Sequence, residues 1–138
     1  MTLPEVAPRI SAGAYILNSG LSKRRVEDAH AKGLHGMAAQ AYPVLADQEP
    51  QAFVRRLSTA EIAIGVLLLT PVVPSVVAGG ALTAFSGGLL GLYLRTPGVR
   101  KPGSLAPSPE GIGLAKDVWL LGIGLGLLAG SVERRRRG

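Results

Sequence analysis

A chain of 138 residues has room for one domain, and 47% hydrophobic with 17% charged residues would suit an ordinary soluble protein. Cysteine is absent, which excludes disulfides, thiolate nucleophiles, iron–sulfur clusters and cysteine-ligated zinc. The formal charge of +6 points to nucleic acid or anionic lipid as a partner. Aromatic residues are scarce and the basic residues flank apolar segments instead of lining one helix face, which argues for lipid and against nucleic acid.

The placement of charge says more than its amount. No charged residue occurs in the 33 positions between Glu61 and Arg95, and a second uncharged run extends from Val118 to Val132. A water-soluble domain rarely leaves so long a stretch uncharged, because some face of each element must meet water. The expectation is an all-α membrane protein, a bundle of four transmembrane helices with an additional amphipathic helix between the first two. The beginning of the chain, with Glu5 and two prolines before residue 9, does not resemble a cleavable signal peptide.

In chain order, the first span is expected at 6–22, where 13 uncharged residues from Ile10 to Ser22 are weakened by Ser11, Asn18 and Ser19. The segment 25–47 carries Val26, His30, Gly33, Met37, Ala41 and Val44 at spacings of three or four, a helical stripe. It reads equally as a helix lying on the membrane or capping the bundle and as a soluble loop helix. The 33-residue uncharged run would be roughly 50 Å long as one helix, against a hydrocarbon core of about 30 Å. Thr70-Pro71-Val72-Val73-Pro74 divides it, giving spans at 54–70 and 74–95. A loop with four prolines and three glycines occupies 97–111, and the last span follows at 111–132, stopped by Arg134–Arg137.

Small residues recur every fourth position in the last two spans: Ser75, Gly79, Thr83, Gly87 and Gly91, then Gly122, Gly126 and Gly130. Lipid tails are as apolar as leucine, so helices in a bilayer associate by close packing of such residues. These stripes fit either helix contacts within the chain or a homodimer interface.

With four spans both termini share one side, and the ionisable groups collect toward the other. Glu61 has no basic neighbour in its own helix nearer than Arg56, and an unpaired carboxylate among apolar residues costs several kcal/mol. Its partner is expected to be Lys116 or Lys23. The favoured pair is Glu61–Lys116, beside Asp117, with Asn18 and Tyr93 as hydrogen-bond partners. Such a cluster either fixes helix register or marks a ligand site. His30 and His35, five apart, lie on different helix faces and suggest no metal or haem site. No catalytic constellation stands out. Ten of the fifteen Lys and Arg residues fall on the loop side, while the terminal arginine cluster favours the opposite orientation, so topology stays open.

Three stretches resemble the DoxX family of small four-helix membrane proteins. Residues 9–23, with Arg9 ahead of a Gly-containing apolar stretch ending Gly20-Leu21-Ser22-Lys23, resemble that family's opening helix. Glu61-Ile62-Ala63-Ile64-Gly65 resembles its glutamate-then-glycine pattern, and Lys116-Asp117 resembles the start of its last helix. The resemblance implies an accessory, non-catalytic subunit of a quinone-linked redox assembly in a bacterial plasma membrane. It implies no intrinsic cofactor, and a quinone or lipid ligand near Glu61. The alternatives are a homo-oligomeric pore or transporter, and an assembly factor docking a partner through 25–47.

Overall fold

The computed structural model describes residues 1–96, 101–111 and 117–138, so Lys116 lies outside the described residues. Every regular element among them is helical: α1 (Leu3–Lys23), α2 (Asp28–Ala41), α3 (Pro50–Leu69), α4 (Ser75–Arg95) and α5 (Val118–Arg137), with short 3-10 turns at Pro43–Leu45 and Pro109–Gly111.

Local chemistry explains the ends. Glu5 reaches back to accept the Thr2 backbone N–H at 2.8 Å, satisfying a donor at the start of α1. Glu49 caps α3 by accepting from the Gln51 and Ala52 amides at 3.0 and 2.8 Å, with Pro50 placed where its missing N–H is harmless. Pro71 and Pro74 separate α3 from α4 as the sequence predicts. The arginine run does not stop α5, which continues through Arg137: arginine is a good helix former, and positive charge suits a helix C-terminus.

The long helices form two tight antiparallel pairs. In α1 and α3 the backbones touch through Gly13, Gly20 and Gly65. A Cβ on Gly65 would stand 2.8 Å from Leu17 Cβ, and one on Gly20 would stand 2.9 Å from the backbone of Ser58 and Ile62. In α4 and α5 the contact runs through Gly79 and Gly124, where a Cβ would meet Leu127 Cβ at 2.8 Å and Thr83 Oγ1 at 2.5 Å. Ala12, Ile16, Ile64, Leu68, Ala78, Leu82, Leu120 and Leu127 fill the centre where the pairs meet. Both termini and the α3–α4 hairpin share one end, and α2 lies at the other.

Two sequence expectations require correction here. Gly122 and Gly126 make no close contact within the chain, since nothing lies within 4 Å of an added Cβ, and Gly130 approaches only Arg134 of its own helix. The α5 residue that packs is Gly124, two positions away and therefore on nearly the opposite face. In α4, Ser75 and Gly79 are buried and Thr83 meets Gly124, whereas Gly87 is open and Gly91 faces Tyr42 rather than a long helix.

The stripe assigned to 25–47 holds at Ala41, which is buried, and at Met37, which lines the cavity described below, but not at its other positions in α2. The buried face of α2 is Ala31, Ala38 and Ala41, while His30 and Gly33 are exposed and Val44 is 82% exposed. Small alanines let α2 lie close on α3 and α4, so volume rather than hydropathy chose the face. The helix caps the bundle end, held by Tyr42 Oη donating to Gly88 O at 2.7 Å and by Arg95 over the Tyr42 ring at 5.1 Å.

One helix among those described, α4, is long and apolar enough to cross a membrane, with a mean hydropathy of 1.5. Only 28% of that stretch is buried inside the bundle. The other long helices are diluted by polar residues: Glu5, Arg9 and Asn18 in α1, Arg55, Arg56 and Glu61 in α3, and the arginine run in α5.

Candidate functional site

Polar side chains gather at two levels. At the terminal end Arg9 is fully buried, and its hydrogen bonds go to backbone carbonyls and one hydroxyl. All five of its N–H groups are used: Nε on Leu68 O, Nη1 on Val73 O and Ser75 Oγ, and Nη2 on Leu67 O and Thr70 O, at 2.8–3.1 Å. Four of these acceptors are carbonyls at the C-terminus of α3 and in its hairpin, the negative end of the helix dipole, and the fifth is the Ser75 hydroxyl. Arg9 thus supplies the charge and the donors that Thr70-Pro71-Val72-Val73-Pro74 lacks. Beside it, buried Glu5 pairs with Arg134, joining α1 to α5. Burial alone would raise the Glu5 carboxyl. The Thr2 backbone hydrogen bond and those from Arg134, Ser75 and the Thr2 side chain outweigh it and bring the value down to about 2. This level is saturated and structural.

The second level lies toward the loop end. Glu61, only 4% exposed, receives Lys23 Nζ on both carboxylate oxygens at 3.0 Å, and Lys23 gives its third hydrogen bond to Ser19 Oγ at 2.7 Å. Glu61 is therefore paired with Lys23, one of its two expected partners; the other, Lys116, lies outside the described residues. The glycine-mediated packing of α1 on α3 slides the end of α1 alongside Glu61, and residues 19 and 23 share a helix face. Asn18 points outward and is exposed, so Ser19 takes its expected role. Tyr93 is buried but donates to Leu105 O at 2.6 Å, tying the loop to α4 instead of joining the cluster.

Lys23, Glu61 and Asp117 line a single cavity of about 480 Å³. Its remaining wall is mainly apolar, from Ile16 on α1, Leu34 and Met37 on α2, Phe53 and Leu57 on α3, Phe85, Leu89 and Leu92 on α4, and Leu120 on α5. Three further polar groups face it: Ser19, which already binds Lys23, and Tyr15 and Tyr42. Tyr42 is occupied by Gly88 O, but the Tyr15 hydroxyl and the Asp117 carboxylate have no hydrogen-bond partner among the described residues. The pair Lys23–Glu61 is internally neutral and has no proton to spare, so Tyr15 and Asp117 are the groups left to meet a ligand. This volume falls in the range spanned by small-molecule pockets.

Sequence reasoning missed Arg9 and Tyr15. It searched for acid–base partners, and Arg9 has carbonyls instead; the uncapped helix end at Thr70-Pro71 was the available signal. His35 serves structure, with Nε2 2.7 Å from Leu45 O and its ring edge-on to Phe53 at 5.4 Å. Among the described residues no group of three or more His, Asp or Glu is placed to hold a metal.

Among the described residues the arrangement defines a helical bundle with one membrane-competent helix and a partly open, largely apolar cavity. In comparison with known proteins, the chain matches no protein-family model, no curated protein and no solved structure.

Proposed function

We propose that this chain is a four-span membrane protein of DoxX type that binds a quinone-class or similar lipid-phase molecule. In this reading it serves a bacterial plasma-membrane redox assembly as an accessory, non-catalytic subunit. The observation that carries the binding reading is the 480 Å³ cavity with apolar walls, a neutral Lys23–Glu61 pair, and Tyr15 and Asp117, two polar groups without a hydrogen-bond partner among the described residues. Tyr15 Oη offers a donor to a quinone carbonyl, and the Asp117 carboxylate an acceptor for a quinol hydroxyl. When bound, the quinone would supply reversible two-electron chemistry. The chain's own residues orient the head group and enclose the tail.

Exposed apolar side chains on all four long helices support the membrane reading. Ile10, Val66, Val77 and Leu125 are 49–51% exposed on α1, α3, α4 and α5, respectively. In lipid such side chains cost nothing. Purification from native membranes in mild detergent tests the assignment. A stoichiometric oxidoreductase partner together with extractable quinone is expected, and a clean preparation with neither contradicts it.

A second reading, a homo-oligomeric pore or transporter, draws on Gly122 and Gly126, which are exposed and contact nothing within the chain. It predicts self-association in a bilayer that is lost in Gly122→Leu.

A further inference from the structure

The cavity adjoins a second, smaller hollow of about 270 Å³ along the seam of α1 and α5. Three residues line both: Tyr15, Asp117 and Leu120. The outer hollow is completed by Ser11, Ala12, Trp119 and Ile123, none of which reaches the inner cavity. Leu120 is buried between the two spaces, whereas Tyr15 is 57% exposed and Trp119 is 69% exposed on the outer surface.

The position of this seam in the fold matters. Glycine contacts lock α1 to α3 and α4 to α5, but α1 and α5 meet without any glycine-mediated backbone contact. At the terminal end Arg134 holds them together through Glu5, and toward the loop end the hollow opens between them. The separation therefore has one pinned end and one end lined by side chains.

We infer that the cavity is filled sideways, from the lipid phase, through the α1–α5 seam, with Tyr15, Leu120 and Asp117 forming the threshold between outer groove and inner site. This inference rests on the proposed binding role of the cavity and adds the route and the residues that control it. An amphipathic molecule lying in the outer groove has its tail in lipid and its head beside Asp117 and the Tyr15 hydroxyl. Rotation of the Tyr15 ring, a side chain with its outer half in solvent or lipid, then opens the way past Leu120. No passage through the α2 cap is needed, and α2 stays fixed by Tyr42 and Arg95.

The single tryptophan makes the route measurable, because Trp119 lies in the outer groove. The full chain is reconstituted in lipid nanodiscs and mixed with decyl-benzoquinone, a quencher of indole fluorescence, in a stopped-flow instrument. A second protein, Trp119→Phe with Phe85→Trp, moves the reporter into the cavity. The groove reporter is expected to quench before the cavity reporter. Ser11→Phe narrows the groove without touching the cavity, and should slow cavity quenching by about tenfold or more in both directions while changing Kd less than twofold. Unchanged cavity kinetics in Ser11→Phe, with Kd unaltered, would overturn the lateral route and leave the binding role standing. Absence of saturable quenching at the cavity reporter in the otherwise unaltered protein would overturn the binding role and the route together.

Discussion

Arg9 and Lys23 show two ways of placing a cation in an apolar bundle. Arg9 uses its planar fork to gather backbone carbonyls from a helix end, a task for which a lysine has too few donors and the wrong shape. Arg9→Lys should therefore destabilise the protein by about 3 kcal/mol, and Arg9→Met by a similar amount, because in both the buried acceptors lose their donors. Thermal unfolding in detergent checks this; a lysine variant as stable as the parent would contradict it. Lys23 instead neutralises one carboxylate. Lys23→Ala leaves Glu61 charged and buried, with an expected loss of about 3 kcal/mol, whereas Lys23→Met with Glu61→Leu should recover most of it. If the double variant is no better than the single one, the pair is more than a neutral register device. Glu5 provides a pH signature at the aqueous end of α1, ahead of the proposed span. Its carboxyl lies at about 2 against an ordinary 4.5, so its contribution is complete above about 4.5 and is lost as pH falls toward 2. Melting curves taken from pH 6 to pH 2.5 should converge for the parent and Glu5→Gln. A constant gap would mean that the carboxylate is not what holds α5.

At the scale of elements, the positions of the long helices were legible because prolines and charges bracket apolar runs, a one-dimensional signal. Helix rotation was not legible to the same degree. A spacing of four in Gly122-Gly126-Gly130 and the actual contact at Gly124 differ only in which side of α5 faces α4, and no periodicity distinguishes them when the helix is apolar all round. The same ambiguity turned part of the α2 stripe, where alanines that carry little hydrophobic signal proved to be the packed face. Glu61 was identified from its burial cost, but its partner depended on the register of α1 against α3, which Gly13, Gly20 and Gly65 set together. Gly65→Ala should accordingly cost about 1–3 kcal/mol, since its Cβ would meet Leu17 side chain and backbone within 3 Å. Gly122→Ala and Gly126→Ala should be neutral or stabilising by up to about 1 kcal/mol, from helix propensity alone. Unfolding measured on dilute protein separates these cases from any effect on self-association.

At the scale of the molecule, the terminal end is closed by Arg9, Glu5 and Arg134, while the loop end holds the cavity and its groove. A bundle pinned at one end and hollow at the other suits a protein that receives a molecule from the lipid around it, provided that all four long helices lie in lipid. The absence of cysteine allows a direct measurement of that condition. Single cysteines are placed at Ile10, Val66, Val77 and Leu125, one on the exposed face of each long helix, and at Ala46 and Lys101 in the loops. Native membranes opened to give access from both sides are then treated with a membrane-impermeant maleimide. The four helix positions should stay unlabelled until detergent and denaturant are added, while 46 and 101 react at once. Rapid labelling at 10, 66 and 125 would contradict a four-span bundle and leave at most α4 in the membrane.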